Sequence, residues 1–139
     1  MFIKQLSIFL ENKGGSLGEV LKIISGEKIN ILSASLADTN DFGVLRLLTS
    51  DTEKAYTVLK ERGITSKINE VVGVCVPNQT GGFSKVVQII LDGGINISYI
   101  YGLSVNNDGA NIVMKTEDQE KTVKLLEAAG VKLLSEKDL

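Results

Sequence analysis

The sequence contains no histidine and only one cysteine among its 139 residues. Without imidazole, the Ser/His/Asp and Cys/His arrangements of nucleophilic catalysis cannot form, and the common zinc and haem ligand sets are missing. The single Cys75 cannot form an internal disulfide, and it lies in the apolar run 72–76, where a free thiol usually behaves as a small buried hydrophobe. We therefore expect a structural thiol at this position, and neither a metal site nor a cofactor.

An excess of positive charge is also missing. The chain has 15 Lys+Arg against 17 Asp+Glu, a net charge of −2, so little positive charge is available to neutralise nucleic-acid phosphates or anionic lipids. Residues 1–8 alternate apolar and polar side chains, unlike the apolar segment of a signal peptide, and the uncharged stretch 93–107 is broken by Gly, Asn and Ser. We expect a cytoplasmic protein that binds neither nucleic acid nor membrane.

The sequence does contain an internal repeat. The segment Ile29-Asn30-Ile31 recurs 66 residues later as Ile95-Asn96-Ile97, and the same offset relates several other pairs: Asn12 and Asn78, Gly15 and Gly81, Val20 and Val86, Ile23 and Ile89. Later pairs, such as Leu59 and Leu126, follow an offset of 67, which one inserted residue explains. The repeat predicts two small domains, residues 1–70 and residues 71–139.

Hydrophobic periodicity predicts the element order βαββαβ in each copy. Strands are predicted at 2–9, 29–37, 44–49, 64–68, 71–76, 95–105, 110–116 and 131–134, and each copy carries two amphipathic helices between them. Ser16 with Glu19, and Ser50 with Glu53, match the sequence of a capping box at two helix starts. The order is typical of a ferredoxin-like α+β unit, an antiparallel sheet with both helices on one face.

Two glycine-containing segments, residues 11–17 and 77–83, connect the first strand of each copy to its first helix. Glycine allows close approach of the backbone, and a helix N-terminus offers free N–H groups and partial positive charge, which suit a carboxylate. The amides of Asn12 and Asn78 can bind an ammonium through oxygen or a carboxylate through nitrogen. The alternative is that these glycines only mark turns.

Asn30 and Asn96 begin the second strand of each copy, where β-propensity disfavours asparagine. Taken alone, either residue can simply end a helix–strand connection. The loop glycines and the strand asparagine occur together in both copies, and this joint recurrence indicates a binding role.

The Asn-x-x-Gly-x-Leu loop, the amphipathic helix and the Ile-Asn-Ile segment resemble the ACT domain, a regulatory module that binds amino acids, in two tandem copies over nearly the whole chain. In serine-sensing members of that family, the loop asparagine and the asparagine before the second-strand isoleucine contact the ligand. The resemblance therefore implies ligand contacts from Asn12, Asn30, Asn78 and Asn96, with the backbone of Gly14, Gly15, Gly81 and Gly82 completing the pockets. The Pro-Gly pair usual in the family is replaced here by Gly14-Gly15 and Thr80-Gly81.

The resemblance also implies that ACT domains pair, with ligands held between two domains, so an isolated copy would own only half a site and tandem copies can supply both halves. Because each small domain has strand edges and a sheet face to cover, we also expect a homodimer. We expect a non-catalytic regulatory protein that binds a free amino acid. Family members are mostly fused to the enzyme they control. Because no catalytic domain accompanies these two copies, the protein is expected to sense alone or to regulate a separate biosynthetic enzyme such as acetolactate synthase.

Two other interpretations remain open from the sequence. An enzyme using carboxylates would take Asp38, Asp41 or Asp108 as a general base, although aspartates in these positions are explained by the hairpin turns. A structural interaction module would bind no amino acid. The copies also differ, since polar Glu11 in the first loop is replaced by Pro77 in the second, and we expect the pair Asn12 and Asn30 to matter more than Asn78 and Asn96.

Overall fold

The computed structural model describes residues 2–11, 14–38, 42–106 and 109–139, and the chain forms two compact units. The N-terminal unit comprises Lys4–Asn69, and the C-terminal unit comprises Glu70–Leu139 together with the residues up to Ile3. A turn is predicted at residues 38–41. Residues 39–41 lie outside the described residues, as does Asp108.

The N-terminal unit has the order βαββαβ. Its elements are β1 (Ile3–Glu11), α1 (Ser16–Gly26), β2 (Ile31–Asp38), β3 (Phe42–Thr49), α2 (Thr52–Glu61) and the first residues of β4 (Ser66–Pro77). The strands lie in the order β2-β3-β1-β4, and both β1 and β2 run antiparallel to β3. This arrangement confirms the predicted ferredoxin-like fold.

The C-terminal unit repeats that order. It uses the second part of β4, followed by α3 (Gly82–Asp92), β5 (Ile97–Asn106), β6 (Gly109–Thr116), α4 (Gln119–Ala128), β7 (Leu133–Leu134) and a 3-10 helix (Glu136–Asp138). Strand β4 pairs antiparallel with β6 and with β7, and β5 pairs with β6, which gives the order β7-β4-β6-β5. The second copy is therefore ferredoxin-like as well.

Strand β4 differs from the sequence prediction. Two separate strands are predicted at 64–68 and 71–76, but the structure contains one continuous strand, Ser66–Pro77. The residues between the predicted strands, Asn69 and Glu70, include neither glycine nor proline, so nothing local forces the extended chain to turn. The last strand of the first copy thus continues directly into the first strand of the second.

Each unit buries apolar side chains between its two helices and one face of its strands. The N-terminal core combines helix and strand residues: Leu6, Ile8, Leu10, Val20, Ile24, Ile29, Leu45, Leu47, Ala55 and Leu59. The C-terminal core is built in the same way: Val72, Val74, Val76, Val86, Ile90, Ile95, Ile112, Met114, Val123 and Leu126. Alternate strand residues and every third or fourth helix residue therefore supply the two cores, as the periodicity predicts.

The α-helices of the described residues are 10 or 11 residues long. None of them is both long and apolar enough to cross a membrane. At a rise of about 1.5 Å per residue, α1 separates its two ends by about 16 Å, a length that matters for the position of the predicted site residues.

Candidate functional site

The loop between β1 and α1 ends at Gly15, the N-cap residue of α1. Its backbone is left-handed (φ 89°, ψ −10°), a conformation that glycine adopts without steric cost. The carbonyl oxygen of Gly15 accepts the N–H of Glu19 at 2.9 Å, but no side chain caps the helix. Gly14 is exposed beside it, whereas Asn12 lies outside the described residues. The N-cap residue of α1 therefore supplies no side-chain acceptor to the first N–H groups of the helix.

The predicted capping box of Ser16 and Glu19 is wrong. Ser16 is the first residue inside α1, because Gly15 takes the cap position. The box at Ser50 and Glu53 is wrong as well, since Asp51 is the N-cap of α2. The hydroxyl oxygen of Ser50 instead accepts the backbone N–H of Asn30 at 2.8 Å.

Helix α3 begins as α1 does. Its N-cap residue Gly81 is left-handed (φ 81°, ψ 0°), has no side-chain cap and accepts the N–H of Lys85 at 2.9 Å. The next residue, Gly82, is buried, and a Cβ added there would lie 2.6 Å from the carbonyl oxygen of Pro77. Asn78 lies exposed in the bend between these residues. A side chain at Gly82 would thus push against the backbone of the loop.

The second helix of each unit has a closed N-terminus. The carboxylate of Asp51 accepts the N–H of Lys54 at 3.1 Å at the start of α2, and that of Asp118 accepts the N–H of Lys121 at 3.0 Å at the start of α4. Such caps satisfy free N–H groups and interact favourably with the helix dipole. Each unit therefore has one helix start closed by a carboxylate and one left open at a glycine.

The backbones of Asn30 and Asn96 lie just before β2 and β5, and each bonds to a residue just after the following strand, β3 or β6. The N–H of Asn30 donates to the hydroxyl oxygen of Ser50, and its C=O accepts the N–H of Ser50 at 2.9 Å. The Asn30 side chain is exposed and has no hydrogen-bond partner among the described residues. Asn96 accepts the N–H of Glu117 at 3.1 Å, and its amide Nδ2 donates to Oε1 of Glu117 at 3.4 Å. The two asparagines share a backbone role but differ in what their side chains contact.

The structure does not bring the predicted loop and the predicted asparagine together within one unit. Gly15 precedes α1 and Asn30 follows it, so the helix of about 16 Å lies between them. Gly81 and Asn96 lie at the two ends of α3 in the same way. A free amino acid is too small to contact both ends of either helix, so a single unit cannot supply the complete predicted site.

A surface cavity of about 450 Å³ lies beside the start of α1. Its lining comes from the end of β1, the start of α1, the first residue of β3 and the connection from α2 to β4: Phe9, Leu10, Glu11, Ser16, Glu19, Val20, Phe42, Arg62, Gly63, Ile64 and Thr65. The N–H of Phe9 donates to the carbonyl of Thr65 at 3.0 Å and ties two of these segments together. The rings of Phe9 and Phe42 meet edge to face with centroids 6.1 Å apart.

The C-terminal unit has an equivalent cavity of about 430 Å³. Its lining residues are Cys75, Pro77, Gln79, Gly82, Lys85, Val86, Ala129, Gly130, Val131 and Lys132. Apart from Gln79, these correspond through the offsets of 66 and 67 residues to lining residues of the first cavity. The bond from the N–H of Cys75 to the carbonyl of Lys132, at 2.9 Å, repeats the one between Phe9 and Thr65. The two cavities are thus the same feature of the fold.

The charged residues around the two cavities differ. Glu11, Glu19 and Arg62 surround the N-terminal cavity, whereas Lys85 and Lys132 surround the C-terminal one. The reversal is sharpest at one position in the first turn of the helix, where Glu19 corresponds to Lys85. The N-terminal lining can therefore pair with both charges of a zwitterion, while the C-terminal lining offers charged partners for an anion.

Sequence reasoning missed most of this lining. Among the predicted site residues that the structure describes, Gly82 alone lines one of these two cavities. The charge reversal from Glu19 to Lys85 was visible in the aligned repeat, but nothing in the sequence showed that the segment before β4 or β7 approaches this helix. Cys75 is half-buried and lines the second cavity, so the expectation of a buried thiol is wrong. Alternation along β4 directs Val74 and Val76 into the core and Cys75 away from it.

The chain resembles known proteins over its whole length. The sequence profile of the ACT domain pair matches residues 1–139. Among solved structures, protein BT0572 from Bacteroides thetaiotaomicron is 40% identical with a TM-score of 0.92, and the match covers 99% of this chain and 95% of that chain. A comparison with curated proteins found no match.

Two more distant structures share the fold. The regulatory subunit of aspartate kinase from Thermus thermophilus, in a ligand-free form, is 13% identical with a TM-score of 0.63, and the match covers 91% of each chain. The regulatory subunit of aspartate kinase from Thermus flavus is 14% identical with a TM-score of 0.61, covering 90% of this chain and 88% of that chain. At these identities the likeness concerns the fold alone.

Proposed function

The chain belongs to the family of ACT domain pairs, and from this premise we propose that it is a non-catalytic regulatory protein that binds a free amino acid. We assign one ACT-like domain to residues 1–70 and the other to residues 71–139. Binding of the amino acid would change the conformation or the association of the protein, and that change would be the regulatory signal.

The observation that carries this proposal is the open start of α1 at Gly15 and of α3 at Gly81. At the other two helices, Asp51 and Asp118 supply a carboxylate to the first N–H groups. The α-carboxylate of a free amino acid would take the corresponding place at the open helices, where the helix dipole favours a negative charge by about 0.3–1 kcal/mol. The exposed Gly14 leaves the backbone approachable at α1.

The asparagine contacts of the proposed site would come from a second chain. Because α1 separates Gly15 from Asn30, an amino acid at one end needs its asparagine partner from outside that unit. A homodimer would supply it. The exposed Leu36 on β2, which pairs only with β3 among the described strands, supports such an association, since apolar edge strands tend to be covered.

We expect the asparagine of the first copy to contribute more than that of the second. The side-chain amide of Asn30 has no partner among the described residues and can bind the ligand at once. The amide of Asn96 must first leave the carboxylate of Glu117. The loop of Asn12, Gly14 and Gly15 is closer to the serine-sensing pattern, so we propose that it is the stronger one and that the loop of Asn78, Gly81 and Gly82 is the weaker one.

A biosynthetic enzyme is the proposed recipient of the signal. Two structures that share this fold are regulatory subunits of aspartate kinase, and this supports a partner of the same general kind, an enzyme of amino-acid synthesis. Acetolactate synthase remains one example of such an enzyme.

The proposal is tested by measuring the melting temperature with each of the twenty L-amino acids at millimolar concentration. A ligand that binds only the folded protein stabilises it by about 2.7 kcal/mol at a hundredfold excess over its Kd, so one or a few amino acids should raise the midpoint by several degrees. Calorimetric titration then compares Asn30→Ala with the matched variant Asn96→Ala. We expect Asn30→Ala to weaken binding by about 1–3 kcal/mol, the cost of an unpaired charged ligand group, and Asn96→Ala by less.

The possible failures are distinguishable. No response to any amino acid would contradict the proposed function and favour a structural interaction module. A response with unchanged affinity in both asparagine variants would contradict the site while leaving the function. Light scattering that finds a monomer with and without the ligand would contradict the homodimer as the source of the second half of the site.

A further inference from the structure

We propose that the cavity of the C-terminal unit is a second binding site, which takes a small organic molecule with two negative charges and no ammonium group. It shares Gly82 with the proposed amino-acid site of this unit, but neither Asn78 nor Asn96, which that site requires, lines it. Its charged lining residues are Lys85 in the first turn of α3 and Lys132 just before β7.

The cavity has the size and rigidity of a small-molecule site. Its volume of about 430 Å³ lies within the range of about 300–1,000 Å³ that is usual for ligand pockets. The N–H of Cys75 donates to the carbonyl of Lys132 at 2.9 Å, and the N–H of Val131 donates to the carbonyl of Leu126 at 3.0 Å. Buried Val86 and half-buried Val131 give the cavity an apolar wall, which suits the carbon skeleton of an organic anion.

The two lysines give the cavity its charge preference. Among the described lining residues no carboxylate faces Lys85 and Lys132. The carboxylate of Asp138 accepts the N–H of Ser135 at 2.8 Å, which lowers the pKa of that carboxyl, and the charge of Lys132 acts in the same direction, but Asp138 does not line the cavity. A ligand with two carboxylates, or with a phosphate, would therefore supply the negative charge that this lining lacks.

Comparison with the N-terminal cavity explains why an ammonium group is excluded. There, Glu19 takes the position of Lys85, and Glu11 takes that of Pro77. An ammonium group can pair with the carboxylate of Glu19 in the first cavity, but the charged side chains that line the second cavity are the positive Lys85 and Lys132. Leaving a charged ligand group unpaired costs affinity, so the C-terminal cavity selects an anion over the matching amino acid.

Cys75, the single cysteine of the chain, provides a direct reporter of this cavity. The test measures the rate at which neutral iodoacetamide alkylates the full-length protein in the presence of glutarate or L-glutamate, which differ only by the ammonium group. Glutarate is expected to slow alkylation in a saturable manner, and L-glutamate is expected to have little effect. Inorganic phosphate is the third probe: stronger protection by phosphate identifies a phosphate ligand, and stronger protection by glutarate identifies a dicarboxylate.

Lysine variants separate the site from a general effect of salt. Lys85→Gln and Lys132→Gln should each weaken protection about tenfold, the loss expected for a hydrogen bond to a charged group. Lys85→Glu, which installs the charge of Glu19, should abolish it. Lys124→Gln removes an exposed lysine of α4 that lines neither cavity, and it should leave protection unchanged.

The proposal is overturned if neither glutarate nor phosphate protects Cys75, if L-glutamate protects as well as glutarate, or if Lys124→Gln acts like the other two glutamine variants. Circular dichroism and the melting temperature of each variant establish that it folds. The variant Asn30→Ala should leave the protection of Cys75 intact. The anion site can therefore be confirmed when the proposed amino-acid site is contradicted, and the amino-acid site can be confirmed when the anion site is contradicted.

Discussion

The two units place a cavity at the same point of the same fold but line it with different charges: two glutamates and an arginine in one, and two lysines in the other. The connection that forms one wall repeats closely: Gly63 and Gly130 both adopt a positive φ, 74° and 75°, at the end of the second helix. The facing helix carries Glu19 in one unit and Lys85 in the other. In this duplicated fold the backbone requirements recur, whereas the side chains directed at the cavity have changed.

A second interaction repeats between the two units. The ammonium of Lys54 donates to the carbonyl of Glu27 at 3.2 Å, and that of Lys121 donates to the carbonyl of Gly93 at 2.9 Å. Each lysine thereby connects the second helix of its unit to the end of the first helix. Interactions that hold the helices are thus shared by the units, and the differences collect at the cavities and at the asparagine side chains.

The largest expected effect tests whether the two cores are energetically equivalent. Leu59→Ala in α2 and Leu126→Ala in α4 each truncate a fully buried side chain at equivalent positions. Each should lower the free energy of unfolding by about 2–5 kcal/mol, because lost burial and a new cavity both contribute. Urea denaturation measures the loss, with exposed Leu91→Ala as the control. A loss below about 1 kcal/mol in one core alone would break the equivalence.

The next largest effect on stability is expected at the first residue of α3, where the two units differ. Gly82→Ala places a Cβ 2.6 Å from the carbonyl oxygen of Pro77, so the loop must shift, and we expect a loss of about 1–3 kcal/mol. The equivalent Ser16 already carries a side chain, and Ser16→Ala should change stability by less than about 0.5 kcal/mol. Thermal denaturation of the two variants gives the comparison. Equal losses would mean that the two loops are alike after all.

The smallest expected effect belongs to the end of the C-terminal unit. The backbone N–H of Ser135 lowers the pKa of the Asp138 carboxyl below its ordinary value, and the hydroxyl of Ser135 and the charge of Lys132 act in the same direction. A pKa lowered by folding stabilises the protein above the unfolded pKa, and this contribution is lost as the pH falls through the folded pKa. The stability difference between the wild type and Asp138→Asn should therefore be small near neutral pH and vanish in acid. A difference that persists at pH 2 would contradict this linkage.

The sequence alone predicted the repeat, the order of the elements and the ferredoxin-like class. These depend on local rules: apolar residues at alternate positions in β1, and at every third or fourth position in α1, give the same result wherever the segment lies. Helix starts were less predictable, because several residues compete for the cap. Ser16 and Ser50 matched a capping pattern, yet Gly15 and Asp51 take the cap positions.

What the sequence determined about this protein is the periodic part of its structure, since hydrogen-bonded strands and helices are specified within short stretches of chain. What only the tertiary structure decided is which distant residues share a surface. It brought Lys132 to the same cavity as Lys85 across 47 residues of sequence, and it brought Arg62 to the same cavity as Glu19. Neither result could be read from spacing, because each depends on how helices and strands pack together rather than on any local preference of the chain.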